Sequence, residues 1–260
     1  EAPDQRPELA RIDRWLLSKL QSVIEDVTDS IEEFSTRHAS QDAFFRLEEY
    51  LRWYRLRTDL DRPAARWTRR TVLRTRLRLL APIVPFMTNE LHERLEGEPV
   101  EDAAWPTVEP DLESERVETE ERLIEALRED VRDIVDVTGE DPDAIQLFTA
   151  APWKHRIFET VVDVGPDVDA VMDEVMQETE FRERGERVND LVGTLVEEAR
   201  ERSDDELAIL RDVEETEIYE LAVEFLEAEF DATVSVVPEE DTDVEKAAQA
   251  EPFRPAVLLE

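Results

Sequence analysis

From Leu9 to Phe34 the apolar residues fall at Leu9, Ile12, Trp15, Leu16, Leu20, Val23, Ile24, Val27, Ile31 and Phe34. Steps of three and four sustained over that length put one stripe along a single long helix, and such a stripe must be covered by partners. Pro7 suits the first turn of that helix. A second helix is predicted near Gln41, with Phe44, Phe45, Leu47, Tyr50, Leu51 and Tyr54 turned inward. Pro63 opens a third through Trp67, Val72, Leu73, Leu77 and Leu80, which Pro82 and Pro85 break. A fourth runs from about Phe86 to Leu95 and stops at Gly97. Amphipathic helices joined by short links predict an antiparallel bundle.

The stretch 97–110 holds Pro99, Pro106 and Pro110 and has no period. It reads as a linker, dividing the chain into a helical domain, 1–108, and a second domain, 109–260. The second half alternates. A helix from Glu115 to Val137 ends at Gly139, and Ala144 to Thr149 reads as a strand. Helical patterns follow over Pro152–Val162, Asp167–Glu178, Val188–Arg202 and Glu217–Phe230. Ala232–Val237 alternates β-branched residues, and Pro255–Leu259 reads as a last strand. The expected fold is mainly α: an antiparallel α-helical bundle followed by a small α+β domain of unspecified strand order.

Charge sets the environment. The chain has 68 acidic and 31 basic residues, a net charge of -37, and only three of the basic residues are Lys: Lys19, Lys154 and Lys246. Abundant carboxylates with Arg in place of Lys point to molar salt, where the Debye length is about 3 Å and self-repulsion is screened. There is no Cys, which excludes disulfides and thiolate metal sites and fits a reducing cytoplasm. The longest apolar run, Leu79–Met87, is far short of the ~20 residues of a membrane span, so no membrane partner is expected. No signal peptide is visible, and a first residue of Glu1 suggests a fragment or a processed chain.

One segment breaks the acidic pattern. Between Leu51 and Leu80 stand Arg52, Arg55, Arg57, Arg62, Arg66, Arg69, Arg70, Arg74, Arg76 and Arg78 against Asp59 and Asp61 alone. That is a local surplus of eight positive charges, so the other 230 residues carry -45. Arg70, Arg74 and Arg78 step by four and share a helix face, with neighbours about 6 Å apart, near the phosphate spacing of one nucleic-acid strand. The planar guanidinium binds two phosphate oxygens at once, and Trp53, Tyr54 and Trp67 interleave as candidates for stacking on bases. A second reading is open: these Arg pair with carboxylates of neighbouring helices and hold the bundle together in high salt.

Four elements carry a resemblance. Arg14-Trp15-Leu16-Leu17-Ser18-Lys19-Leu20, Arg52-Trp53-Tyr54, Leu79-Leu80-Ala81-Pro82-Ile83-Val84-Pro85-Phe86 and Ala104-Trp105-Pro106 stand in this order. They resemble the helical anticodon-binding domain of class I aminoacyl-tRNA synthetases of the leucyl, isoleucyl, valyl and methionyl group. Ala151-Pro152-Trp153-Lys154 and the tail Glu251-Pro252-Phe253-Arg254-Pro255-Ala256-Val257-Leu258-Leu259-Glu260 resemble the archaeal and eukaryotic leucyl type, whose carboxy-terminal domain reaches the long variable arm of leucine tRNA. Met87-Thr88-Asn89-Glu90-Leu91-His92 departs from the family, which commonly has His and then Glu-Glu-Leu-Trp there.

The resemblance implies a tRNA-binding portion of a leucine–tRNA ligase, a protein-biosynthesis enzyme. It further implies catalytic and editing domains upstream, with ATP and Mg used in the full enzyme, and no cofactor, metal or DNA is expected for this chain. The HIGH-type and KMSKS-type signatures are missing, and His38, His92 and His155 stand far apart, so no catalytic residue is expected. His38 reads as a helix-start residue and His155 as a surface one. The RNA-binding candidates are Arg52, Arg55, Arg57, Arg66, Arg70, Arg74, Arg78, Phe253, Arg254, Leu259 and Glu260. For the tail, the Glu260 carboxylate suits base amino groups and Phe253 and Leu259 suit splayed bases; alternatively Phe253, Val257 and Leu258 close a small core. Removing the last four residues is expected to weaken tRNA charging and leave the fold intact. Two other functions fit: a stand-alone, non-catalytic tRNA-binding or assembly protein, and the same region of an isoleucyl, valyl or methionyl enzyme.

Overall fold

The computed structural model describes residues 3, 5–139 and 141–260, and divides them into two compact units, Glu1–Glu118 and Thr119–Glu260. The architecture is mainly α with one small sheet. Among the described residues no helix is long and apolar enough to cross a membrane.

The first unit is built on α1 (Arg11–Glu32), followed by α2 (Thr36–Ser40), a π-helical turn (Gln41–Arg46), α3 (Leu47–Leu56), α4 (Pro63–Leu80) and α5 (Pro85–Glu96). The helix begins at Arg11, beyond Pro7, because the Asp13 carboxylate accepts the Ala10 N–H at 2.8 Å and fixes the cap there. Its stripe is buried from Ile12 to Val27, and Leu17, Ser18 and Gln21 are buried as well, so α1 is covered on more than one side. Asp13, fully buried, ties three helices together. It accepts the Tyr54 hydroxyl from the end of α3, and Arg62, just before α4, at 3.2 Å.

Two aromatic expectations fail for backbone reasons. Phe34 lies past the end of α1 with φ 58° and is 92% exposed. Phe44 and Phe45 are 45% and 62% exposed. The π-turn adds a residue to one helical turn and rotates the phase of the stripe. Ala43 and Leu47 therefore point inward, and the two Phe point out. Gly97 ends α5 in the left-handed region, φ 83°, where a Cβ is disfavoured.

The Pro-rich stretch after Gly97 is a strap laid along α1. Trp105 Nε1–H donates to Thr28 Oγ1 (2.9 Å), Glu109 N–H to Gln21 Oε1 (2.8 Å) and Ser114 N–H to Ser18 Oγ (2.9 Å). Ser18, Gln21 and Thr28 supply side-chain acceptors to a segment whose own regular pairing is two short 3-10 turns, Val100–Asp102 and Pro110–Leu112.

Helix α6 (Glu115–Thr138) leads into the second unit, which holds β1 (Ala144–Thr149), α7 (Pro152–Val164), α8 (Val168–Val175), α9 (Thr179–Arg184), α10 (Glu186–Arg200), α11 (Asp204–Arg211), α12 (Glu215–Glu220), α13 (Val223–Phe230), β2 (Thr233–Pro238) and β3 (Ala256–Leu259). The sheet order is β2-β1-β3. β1 pairs with β2 in parallel, Ala144 opposite Thr233, and with β3 antiparallel, Ile145 opposite Leu259. A parallel pair needs a long crossover, and the helices α7 to α13 form it. Ile145, Leu147 and Phe148 of β1, Ile157 and Phe158 of α7 and Val192 and Leu195 of α10 are all buried; α7 packs on α10, and Phe148 clusters with Ala150, Ala247, Ala250 and Ala256.

Candidate nucleic-acid interface

The ten Arg of the basic segment separate into distinct roles. Arg62 and Arg76 are internal struts. Arg62 pairs with buried Asp13 and donates to Thr58. Arg76 donates from Nε to Ala43 O (3.2 Å), from Nη2 to Phe44 O (2.9 Å) and from Nη1 to Glu48 (3.0 Å), with its guanidinium 4.8 Å from the centre of the Phe44 ring. Two of those acceptors are carbonyls of the π-turn, so Arg76 helps to fix that turn.

Arg55, Arg66, Arg69, Arg70 and Arg76 line one open groove of about 580 Å³, floored by Leu51, Leu73 and Leu95. Among the described residues no acidic side chain lines it. Arg66, Arg69, Arg70 and Leu73 step by three, four and seven along α4, which puts all four on one face. Carboxylates stand at the margin: Glu48 reaches Arg55 (3.1 Å), Asp61 reaches Arg66 (3.4 Å) and Glu96 reaches Arg70 (3.2 Å). Burial pushes the Glu48 carboxyl up, but hydrogen bonds from Arg76 and Arg55 outweigh it and hold the group below the usual carboxylate range. Arg69 is exposed and has no hydrogen-bond or ion-pair partner among the described residues.

Of the RNA-binding candidates, the groove gathers Arg55, Arg66 and Arg70. Arg52 lies exposed on α3 and Arg57 half-buried just past its end. Arg74 lies one turn from Arg70 with Nη1 3.9 Å from Glu96. Arg78 donates to His92 Nε2 (3.4 Å), and because that nitrogen must accept, His92 Nδ1–H donates to Glu98 O (2.9 Å). Burial, and then the neighbouring Arg74 charge, lower the Arg78 guanidinium pKa. Arg69 and Arg76 join the groove without having been candidates, although the 66-69-70-73 spacing was present in the sequence. Trp53 and Tyr54 are buried and unavailable for stacking on bases; Trp67 is half-buried, with Arg6 6.0 Å from its ring centre.

In the second unit the tail is part of the fold. Phe253 has φ 63° and is buried, its ring 5.4 Å from His155 and 5.1 Å from Phe158, and its carbonyl accepts the Tyr219 hydroxyl at 2.9 Å. Such a backbone costs about 1 kcal/mol and persists where packing holds it. Leu259 is half-buried in β3, and Glu260 exchanges backbone hydrogen bonds with Ala144 (2.9 and 3.0 Å). Only Arg254 and Glu260 of the tail candidates carry exposed side chains. The expectation that the last four residues can be removed without unfolding is corrected: they are most of an edge strand, and Val257 is in the core.

His155, expected at the surface, is half-buried and meets the buried Glu215 (Nε2 to Oε2, 2.7 Å). His38 is exposed within α2 and meets Ser35 Oγ (2.9 Å). Lys154 is a buried strut, donating to Ala248 O (2.9 Å), to Ala250 O and to Glu239 (2.9 Å).

Residues 13–147 match the family model of the anticodon-binding domain of tRNA ligase. The chain belongs to that family. The family match runs from the first turn of α1 through the rest of the helical unit, past α6 and into β1. The relatives extend the likeness to almost the entire chain. A leucine–tRNA ligase of Pyrococcus abyssi is 37% identical over 97% of this chain and 26% of its own length. One of Pyrococcus furiosus is 34% identical over the same shares, and one of Methanothrix thermoacetophila is 30% identical over 99% of this chain and 27% of its own length. The chain thus spans about a quarter of the length of the curated relatives it matches.

Proposed function

We propose that this chain is the tRNA-binding carboxy-terminal portion of a leucine–tRNA ligase of the archaeal type, and that it positions leucine tRNA for ATP-dependent attachment of leucine. The observation that carries the reading is the groove on α3 and α4: five Arg and no carboxylate among its lining residues, in a chain of net charge -37. Guanidinium groups on a leucine floor suit the phosphates and riboses of an RNA backbone. The likeness to leucine–tRNA ligases over 97% of the chain supports the leucyl assignment over the isoleucyl, valyl and methionyl ones and over a stand-alone tRNA-binding or assembly protein.

The catalytic and editing functions, with ATP and Mg, belong in this proposal to the part of the enzyme that the chain does not span. Here the first domain docks on the tRNA body through Arg55, Arg66, Arg69 and Arg70, with Arg52, Arg57, Arg74 and Arg78 flanking. The second domain meets the long variable arm through the exposed side chains of Arg254 and Glu260. The excess of acid with scarce Lys fits a cytoplasm at molar salt. Phosphate contacts weaken steeply with salt, so concentrating Arg in one groove keeps short-range hydrogen bonding where long-range attraction is screened.

The test is binding of the chain to leucine tRNA with its variable arm intact or trimmed, in about 2–3 M KCl, where screening leaves contact interactions in charge. Binding that prefers the intact arm supports the reading; equal binding of both forms removes the role assigned to the second domain.

A further inference from the structure

The row Arg70, Arg74 and Arg78 contains an anion seat that is already half filled. Glu96, in the last turn of α5, places its carboxylate 3.2 Å from Arg70 Nε and 3.9 Å from Arg74 Nη1. It is 15% exposed, while the two Arg side chains are 35% and 37% exposed. The fit is unequal. Arg70 receives a hydrogen bond's length of contact, but 3.9 Å is beyond hydrogen-bond reach, and Arg74 Nε is shut off from solvent with no acceptor. A guanidinium carries five donors in a rigid fork. Held where α5 places it, the Glu96 carboxylate serves the Arg70 fork and falls short of the Arg74 fork. Charge is also in surplus, since the Arg74 charge helps to depress the Arg78 pKa. A phosphodiester has the same charge and two non-bridging oxygens and, unlike Glu96, is not tethered to α5, so it can settle between two forks one helical turn apart.

We propose that Glu96 is a specificity-determining placeholder: it occupies the Arg70–Arg74 seat in the free protein, and an RNA backbone phosphate displaces it on binding. This rests on the reading of the groove as an RNA-binding surface. A polyanion that reaches only this seat must break the Arg70–Glu96 pair for a single new contact and gains little. An RNA that also engages Arg55, Arg66 and Arg69 recovers the loss elsewhere. Glu96 thereby raises the discrimination between cognate RNA and other polyanions at the expense of affinity.

The experiment compares Glu96→Gln with an Arg55→Ala/Arg69→Ala control, both in the 260-residue chain, measuring affinity for a leucine tRNA transcript and for heparin from about 0.5 to 3 M KCl. Glu96→Gln is expected to tighten both, by about 2–5-fold at the lowest salt, the effect of freeing one partly exposed ion pair. Heparin should gain more than tRNA, so that their affinity ratio narrows. An affinity that is unchanged or weaker, with the control variant weakened, overturns the placeholder role and leaves the groove standing. If the control variant also binds like the unsubstituted chain, the groove reading fails and this inference with it. Where Glu96→Gln fails to fold, the Arg70 Nε–H resonance of the unsubstituted chain, the donor to Glu96, decides: a shift on adding the tRNA supports the exchange, and an unmoved resonance with tRNA bound overturns it.

Discussion

Replacing Arg76 by Ala separates scaffold from interface within the basic segment. Arg76 is 13% exposed and makes three hydrogen bonds, two to carbonyls of the π-turn and one to Glu48, under the Phe44 ring. The two carbonyl bonds contribute about 1 kcal/mol each, below the usual range for charged donors because this region is partly wet. The Glu48 pair, 32% exposed on the carboxylate side, adds about 0.5 kcal/mol after solvent screening. The cation–π contact adds about 0.5 kcal/mol. The expected loss is about 3 kcal/mol, or roughly 10 °C in the melting midpoint of a unit this size. Arg69→Ala, two helical turns away on α4, should cost less than about 0.5 kcal/mol, as exposed positions usually do. The assay is thermal unfolding by circular dichroism at fixed KCl. Arg76→Lys should recover less than half the loss, since one ammonium cannot reproduce the fork. Equal shifts for Arg76→Ala and Arg69→Ala would refute the strut role that sets Arg76 apart from the other Arg of the groove lining.

Three further outcomes follow from the packing. Asp13→Ala leaves Arg62 and the buried Tyr54 hydroxyl without their shared acceptor and should cost about 2–3 kcal/mol in urea unfolding, below the range for fully buried pairs because Arg62 keeps some solvent. Lys154→Met removes the donor to Ala248 O and Ala250 O, so amide exchange across residues 245–250 should quicken by at least about tenfold, equivalent to about 1.4 kcal/mol; unchanged protection would rule out the strut. In the second unit, burial raises the carboxyl pKa values of Glu215, Glu198 and Asp130. At these three groups the folded chain holds more protons than the unfolded one between the ordinary carboxylate value and the raised ones. These groups therefore make the unit more stable as pH falls through that window, level off below it, and lose the gain as pH rises. Glu198→Gln should flatten the pH dependence measured by unfolding at several pH values, and a slope of the opposite sign would contradict the assignment.

Much of the architecture was legible because its determinants are local. The stripe of α1, Pro63 at the start of α4, Gly97 after α5 and the β-branched run of β2 each act within a few residues of themselves. What was not legible depends on distant partners. The π-turn that exposes Phe44 and Phe45 is held by Arg76, thirty-two residues from Phe44, and nothing in the 41–46 sequence announces it. The strap after Gly97 read as a linker because its acceptors sit on α1. The candidate interface was half legible. Counting steps of four selected Arg70, Arg74 and Arg78, whereas the groove uses the 66-69-70-73 face with Arg55 and Arg76. Which face opens to solvent is set by where α3 and α5 pack, and periodicity does not contain that. Phe253 had two readings, and the core one describes its surroundings because Tyr219, His155 and Phe158 meet only in the folded unit.

The most direct test of the central claim is the salt dependence of leucine tRNA binding by the unsubstituted chain and by the Arg55→Ala/Arg69→Ala variant. Each lost phosphate contact should reduce the slope of log K against log [KCl] by about 0.7–0.9, so the variant should lose roughly 1.5 units of slope along with affinity. An identical slope at unchanged affinity would contradict the account and return the arginine segment to a purely structural role.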